Sequence, residues 1–368
     1  MIILPTSDSS VAYGEPSQAV PLESASPKPQ LRARFSIRRP PSACVKLCLF
    51  AAMSCCATGF LEAAEEQAAL IVAIGAGGSP EYAGQFHAWA DRWQSAANVA
   101  EMAYQEIGRQ PPGDTSDRDR LKELLRSEWK PSPAPLWLVL IGHGTFYQDL
   151  AKFNLRGADV SAHELADWLP PLDRPLIVIN CSSSSGPFIN RLSGSRRVLV
   201  TATKSGTELN FARFGDHLSR ALTDPAADLD HDYTVSLLEA FLSASAAVAR
   251  FYEQESRLAT EHALLDDNGD ALGTPATFFR GIRAVQSAAD GAGHDGGGAH
   301  GFQLMRSPQT IVLSLEQTAR RDELEREIEQ LRQAKSEMGE DAYYQALEPL
   351  LVEIARLYDK SEQGDTGP

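Results

Sequence analysis

The chain has 368 residues, 43% hydrophobic and 23% charged, which describes a folded globular protein with room for one or two domains. Its net charge of −15 and pI near 5.0 make a surface that repels phosphate, so nucleic acid is excluded as a partner unless a local basic patch exists. The basic cluster of Arg32, Arg34, Arg38 and Arg39 falls in a leader and supplies none.

Residues 1–66 read as that leader. The first thirty are rich in Ser, Pro and Ala and carry no periodicity; "RARFSIRRPPSACVK" and the apolar run Leu47–Phe60 follow. A basic flank, a short apolar core and small residues at Ala57, Thr58 and Gly59 stand in the order of a secretory signal. The run is too short for a stable membrane span. The expectation is an exported protein, periplasmic or extracellular, beginning near residue 60–66; an uncleaved anchor and no targeting at all are the alternatives. Of five cysteines, Cys44, Cys48, Cys55 and Cys56 lie in this leader. Cleavage leaves Cys181 without an internal disulfide partner, either buried and inert or reactive.

From residue 67 short apolar runs alternate with helical stretches. "ALIVAIG" (Ala69 to Gly75) predicts a buried strand, and Pro80 opens the helix after it. "DTSDRDRLKELLRSEW" predicts a capped amphipathic helix, "LWLVLIG" a second strand, "SAHELADWL" a short helix, and "PLIVIN" (Pro175 to Asn180) a third strand. "RVLVTAT" (Arg197 to Thr203) is the fourth, with a helix near "NFARFGDHLSRAL". Strands apolar throughout and separated by helices imply a mostly parallel sheet covered on both faces, a three-layer α/β sandwich over residues 67–283. Sites in such sheets collect at the carboxyl ends of the strands. A long helix is expected from Leu237 to the break at "DDNGDALGTP". Residues 284–307, with "DGAGHDGGGAH", read as a flexible Gly-rich linker in which His294 and His300 are solvated. Residues 308–360 read as a C-terminal helical hairpin, with Leu324, Ile328 and Leu331 at helical spacing, which could dock on the core or mediate oligomers.

Two strand ends carry chemistry. One presents His143 between Gly142 and Gly144; the other presents Cys181, followed by four serines and Gly186. If the strands are neighbours, imidazole and thiol emerge at one edge. A thiol becomes a useful nucleophile when an imidazole lowers its pKa or takes its proton. The Gly144 and Cys181 backbone N–H groups are then candidates for an oxyanion hole. The plainer alternative makes Cys181 a small buried hydrophobe. Asp149 and Asn154 could orient His143 or merely cap the loop, and His163, His217 and His262 fit surface or half-buried roles.

An apolar strand ending in His-Gly, then a second ending in Cys, resembles the caspase–hemoglobinase fold of clan CD cysteine peptidases. The blocks "LVLIGHG" and "LIVINCSSSSG" are most similar to the legumain family, and "RVLVTATKSGTELNFARFGDHLSRAL" resembles the strand and loop that shape its specificity pocket. The likeness spans about residues 67–280. It implies a cysteine endopeptidase that needs no cofactor and cuts a peptide or protein substrate through a Cys181–His143 dyad and an acyl-enzyme. Lys204, Ser205 and Glu208 would line the pocket, Lys204 and Glu208 favouring opposite substrate charges. The sequence departs from the family's Ala-Cys-x-Ser-Gly: Cys181 stands two residues too early, and the register anchored on Ser185 and Gly186 puts Ser183 at the nucleophile position. The second reading is therefore a catalytically degenerate domain that binds peptides or partners.

A separate signal lies in "DLDHDYTVSLLE" (Asp228 to Glu239), which resembles the twelve-residue EF-hand calcium loop. Asp228, Asp230, Asp232, the Thr234 carbonyl, Ser236 and Glu239 would be the ligands. Tyr233 stands where the loop normally has glycine for its sharp turn. The alternative is an acidic loop capping the next helix. A dinucleotide site is disfavoured at "AIGAGGSPEYAG", where Pro80 takes the last glycine's place and no acidic residue ends a second strand about twenty residues on.

Overall fold

The computed structural model describes residues 67–111, 113–169, 174–290, 292–306 and 313–364; the expected leader, with its apolar run and four cysteines, lies outside them. Six apolar residues in a row make β1 (Ala69–Ile74), buried along its whole length. Ser79 caps α1 (Pro80–Val99) by accepting the Tyr82 N–H, and Pro80 stands where the first turn needs no donor. β2 (Ala103–Ile107), α2 (Asp117–Ser127) and β3 (Leu136–Ile141) follow. A small antiparallel sheet then forms from β4 (Gly144–Tyr147), β5 (Leu150–Phe153) and β6 (Val160–Ser161). Its first turn uses Gln148 and Asp149 at φ 48° and 61°, the left-handed pair a two-residue hairpin demands. α3 (Ala162–Trp168) opens on a capping box between Ser161 and Glu164. β7 (Leu176–Asn180), α4 (Ile189–Leu192), β8 (Arg197–Thr201), α5 (Phe214–Ala221), β9 (Thr234–Ser236) and α6 (Leu237–Gln254) complete the expected part of the fold.

The main sheet runs β2–β1–β3–β7–β8 in parallel. Alternate side chains leave its two faces. Trp137, Val139, Ile141, Ile177 and Ile179 pack under α1, α5 and α6, with Phe86, Trp89, Phe214 and Phe241. Leu136, Leu138, Leu140, Leu176 and Val178 pack under α2, α3 and α4, with Leu125, Leu165 and Ile189. Each such side chain contributes about 1.5–3 kcal/mol by leaving water. The expected three-layer sandwich is thus present, and β3 and β7 are direct neighbours, Leu138 opposite Val178. The strand order reverses between β1 and β3, where an open α/β sheet offers a crevice.

Two expectations are corrected. The long helix stops at Gln254 rather than running on to Leu265: Ser256 has φ 49°, the left-handed conformation that ends a helix. The chain returns as β10 (Leu264–Asp266), antiparallel to β8, and β11 (Thr274–Pro275) pairs antiparallel with β10. A three-residue apolar run has no period by which helix and strand can be told apart. The hairpin β12 (Phe279–Arg280) and β13 (Arg283–Ala284) precedes the Gly-rich segment, which is folded rather than a free linker. It contains α7 (Gly297–His300) and β14 (Gln303–Arg306), the latter paired antiparallel with β9. β2, too polar to read as a strand, closes one end of the sheet: the Tyr104 hydroxyl donates to Glu106, which also pairs with Arg109. The short β11, carrying Pro275, closes the other.

The helical hairpin is present as α8 (Leu315–Gln333) and α9 (Glu340–Gly364), with Leu324, Ile328 and Tyr343 buried. Among the described residues no helix is long and apolar enough to cross a membrane.

Candidate functional site

His143 and Cys181 do emerge at one edge of the sheet. β3 ends two residues before His143 and β7 one residue before Cys181, whose N–H donates to the Leu140 carbonyl at 2.9 Å. Both continue their strands' alternation onto the α1 side, Cys181 after Ile177 and Ile179, His143 after Val139 and Ile141. Parity decides what each side chain meets.

Cys181 meets the core. It is 1% exposed, under Trp89 and the start of α5; a Cβ added to Gly215 would lie 2.7 Å from the Cys181 Cβ and 2.7 Å from the Trp89 ring. Burial pushes its thiol up to about 12. This is the reverse of nucleophile activation, so the thiolate expected at Cys181 is not prepared by the fold. The cause is the strand itself: β7 carries its in–out alternation through residue 181 before the loop begins.

His143 is half-buried in a box of rings. Tyr82, Phe86 and Phe211 lie with centroids 5.1, 5.2 and 6.0 Å from the imidazole, and Nε2 is 3.2 Å from the Gly77 carbonyl. Asn154 donates its backbone N–H to the His143 carbonyl, and its side chain accepts from Thr145. Asp149 sits in the hairpin turn. Neither orients the ring.

Ser183 takes the place beside Gly144, the glycine expected to serve an oxyanion. Its Oγ accepts the Gly144 N–H at 3.1 Å and donates to the Gly144 carbonyl at 3.1 Å. The rest of the serine loop is equally tied down. Ser182 donates through N–H and hydroxyl to Asn180 Oδ1, the Ser184 N–H donates to the Glu208 carbonyl, and Ser185 N–H donates to Thr203 Oγ1. All four serines are at most 3% exposed. Ser184, at φ 54°, buries a hydroxyl with no hydrogen-bond partner.

The pocket residues separate. Lys204 is exposed; Ser205 shares a hydrogen bond with Thr207. Glu208 turns inward: Oε2 accepts the N–H of Lys204 and Oε1 pairs with His262 Nδ1 at 2.5 Å. It tethers its own loop, so the opposition between Lys204 and Glu208 does not face a substrate.

A feature the sequence did not flag lies beside His143. Tyr82, Trp89, Phe211, Phe251 and Arg213 line a cleft of about 350 Å³, with Glu81, Asp216 and His217 at its wall. The Arg213 guanidinium lies 4.4 Å from the Phe251 ring centroid and 5.6 Å from that of Phe211. Its backbone N–H and that of Phe214 are held by Glu261, which starts α5. Asp216 is occupied by Arg92 and Arg220. Burial holds His217 below the ordinary histidine range; Asp216 opposes this, while Arg220, Arg250 and Arg213 add to it. Arg213, Arg220 and Arg250 thus gather around a cleft whose lining also carries Glu81 and Asp216.

The acidic loop brings three of its six expected ligands together: oxygens of Asp228, Asp230 and Asp232 lie within 4.8 Å of one another. His231 and Tyr233 adopt φ 63° and 68°, so Tyr233 takes the turn a glycine would, at about 1–2 kcal/mol. Glu239 is fully buried and committed elsewhere. Oε1 accepts the N–H groups of Leu229 and Asp230, and Oε2 accepts Ser236 N–H and Oγ in the capping box of α6. Thr234 donates to Asp232.

No family model matches the chain, and no curated protein matches it. Among solved structures the chain is similar to the Drosophila initiator caspase Dronc, at 13% identity over 55% of this chain and 80% of that one, with a TM-score of 0.40. It is similar to caspase-1 from Spodoptera frugiperda at 10% identity over 55% and 87%, TM-score 0.36. Chaetomium thermophilum Raptor is similar at 13% identity over 44% and 18%, TM-score 0.30.

Proposed function

We propose that this chain is a caspase-like domain, with the legumain family nearest in its sequence blocks, that holds a peptide or protein segment without cleaving it through Cys181. One observation carries the reading: both groups a cysteine peptidase must keep free are spent on the fold. The thiol is inside the core, and the Gly144 N–H is bonded to Ser183. A thiol with a pKa near 12 supplies almost no thiolate at neutral pH. A donor already satisfied in the resting state gives little extra stabilisation to a developing oxyanion.

What remains open is the cleft beside His143. Stacked on Phe251, Arg213 presents a planar, oriented set of donors, and the surrounding rings supply apolar area. A carboxylate with an apolar neighbour in the same segment fits both. Fluorescence anisotropy with labelled acidic–aromatic peptides should give saturable binding, weakened tenfold or more by Arg213→Gln. Mass spectrometry should find those peptides intact. Cleavage by the wild type that disappears in Cys181→Ala would overturn the reading, and failure of every acidic peptide to bind would remove the cleft from it.

We further propose that the Asp228–Glu239 loop takes calcium weakly. Asp228, Asp230 and Asp232 offer the charge, but Glu239 would have to leave its capping bonds to join them.

A further inference from the structure

The Gly-rich stretch at 292–306 is bound to the body by two carboxylates that serve each other's backbone. Asp295 Oδ1 accepts the N–H groups of Asp267 and Asn268 at 2.9 and 3.2 Å. In return Asp267 accepts the N–H of Gly296 at 2.9 and 3.0 Å through its two oxygens, and that of Ala299 at 2.8 Å. Thr274 of β11 donates to Asp295 Oδ2 at 2.5 Å. Asp295 is 3% exposed, and among the described residues neither carboxylate has an ion-pair partner. The two buried acids, each bonded to the backbone beside the other, oppose each other's ionisation.

We propose that Asp267 and Asp295 form a proton-dependent clasp that fastens the 292–306 strap to the domain. The strap matters because of what it covers. Its β14 is the antiparallel partner of β9, the Phe302 carbonyl accepts the first N–H of α6, and the Phe302 ring lies edge-on to Trp137. Opening the clasp therefore exposes β9 and the start of α6 together.

The groups facing the pair set its response. Asp266 and Asp270 lie in the same loop; Asp266 is buried, with one oxygen unbonded. Thr274 faces it from β11, and Ser193, near Asp266, from the turn before β8; neither is charged. On the strap, His294 adjoins Asp295, and His300 lies 3.8 Å from Asp230 through Nε2. Arg321 of α8 approaches the strap rather than the pair: a Cβ added to Gly301 would lie 3.9 Å from its guanidinium. Negative charge thus dominates around the pair. Burial pushes Asp295 up to about 7 and Asp267 in the same direction. In the open strap both return to about 3.9. The docked form holds the extra proton, so docking is strongest below about pH 4, weakens up to tenfold per pH unit, and levels off above about 7.

Hydrogen exchange of the full chain, read by mass spectrometry and corrected for the intrinsic rate, tests this. From pH 5 to pH 7 the protection of peptides within 292–306 should fall by up to about 100-fold, then stay level to pH 8, while peptides from β7 stay constant. Asp295→Asn still accepts from Asp267 and Asn268 but cannot ionise, so it should flatten the step. His300→Gln should leave it in place. Equal strap protection at pH 5 and pH 8 in the wild type would overturn the clasp. So would a step that persists in the Asn variants. If Asp295→Asn loses protection in β7 as well, Asp267→Asn makes the same comparison, and the wild-type profile decides without either.

Discussion

Treating native protein with iodoacetamide probes Cys181 directly. The alkylating species is the thiolate, whose abundance below the pKa falls tenfold per unit of pKa rise. A free cysteine near 8.5 is about 24% ionised at pH 8, whereas a thiol near 12 is about 0.01% ionised. Ionisation alone therefore slows labelling by about 10³-fold, before the reagent's exclusion by Trp89 and the start of α5 is counted. Reaction should instead follow transient unfolding. The assay is a time course at pH 8, native and in guanidinium, read on the peptide that contains Cys181 so that leader thiols do not interfere. Native labelling within tenfold of the denatured rate would refute the reasoning, and brisk labelling at pH 6 would restore the peptidase mechanism. The same shift predicts a stability effect. The folded pKa is raised, so the contribution is full below about 8.5 and is lost as pH climbs toward 12, at up to about 1.4 kcal/mol per unit. Cys181→Ala should remove that alkaline slope while costing only about 1 kcal/mol at neutral pH.

Gly215→Ala should destabilise by about 1–3 kcal/mol, because its methyl would meet the Cys181 Cβ and the Trp89 ring, neither of which can swing away; an unchanged denaturant midpoint would show that α5 can retreat. Titration calorimetry should find one calcium site in the millimolar range, abolished by Asp230→Asn; no heat at millimolar calcium would eliminate it. N-terminal sequencing of the mature protein from its native host should begin near residue 60–66, and an intact Met1 chain in the cytosol would contradict export.

Long uninterrupted apolar runs made the sheet legible. Ala69–Ile74, Leu136–Ile141, Leu176–Asn180 and Arg197–Thr201 read as buried strands because each is built on three to six consecutive apolar residues, and their neighbourhood followed from the helices between them. Where burial was partial, the reading failed. β2 spells Ala-Tyr-Gln-Glu-Ile, and its polar groups are satisfied by Arg109 and by each other rather than by position in a pattern. β10 belongs to the sheet because β8 lies beside it, a long-range fact with no local trace. The clasp was hidden for the same reason: glycines predict flexibility until a carboxylate from thirty residues away binds their N–H groups. At the site, the two-residue displacement of Cys181 from the Ser-Gly pair was visible and meaningful. Counting alternation one step past Asn180 would have sent its thiol inward. The cleft around Arg213 left no signal, since its rings come from α1, the loop before α5, and α6.

The way the sheet ends bears on how copies of this chain can meet. An incoming strand at one border would find β2 with Tyr104, Glu106 and Arg109 already engaged in a charged cluster, and charged edges discourage pairing. At the other border it would find two residues, one of them a proline with no N–H to give. Neither border templates a continuous intermolecular sheet, so the main sheet is protected against that route to aggregation. The apolar area the chain leaves open to a neighbour lies instead on side-chain faces such as Tyr344, Leu351 and Val352 of α9.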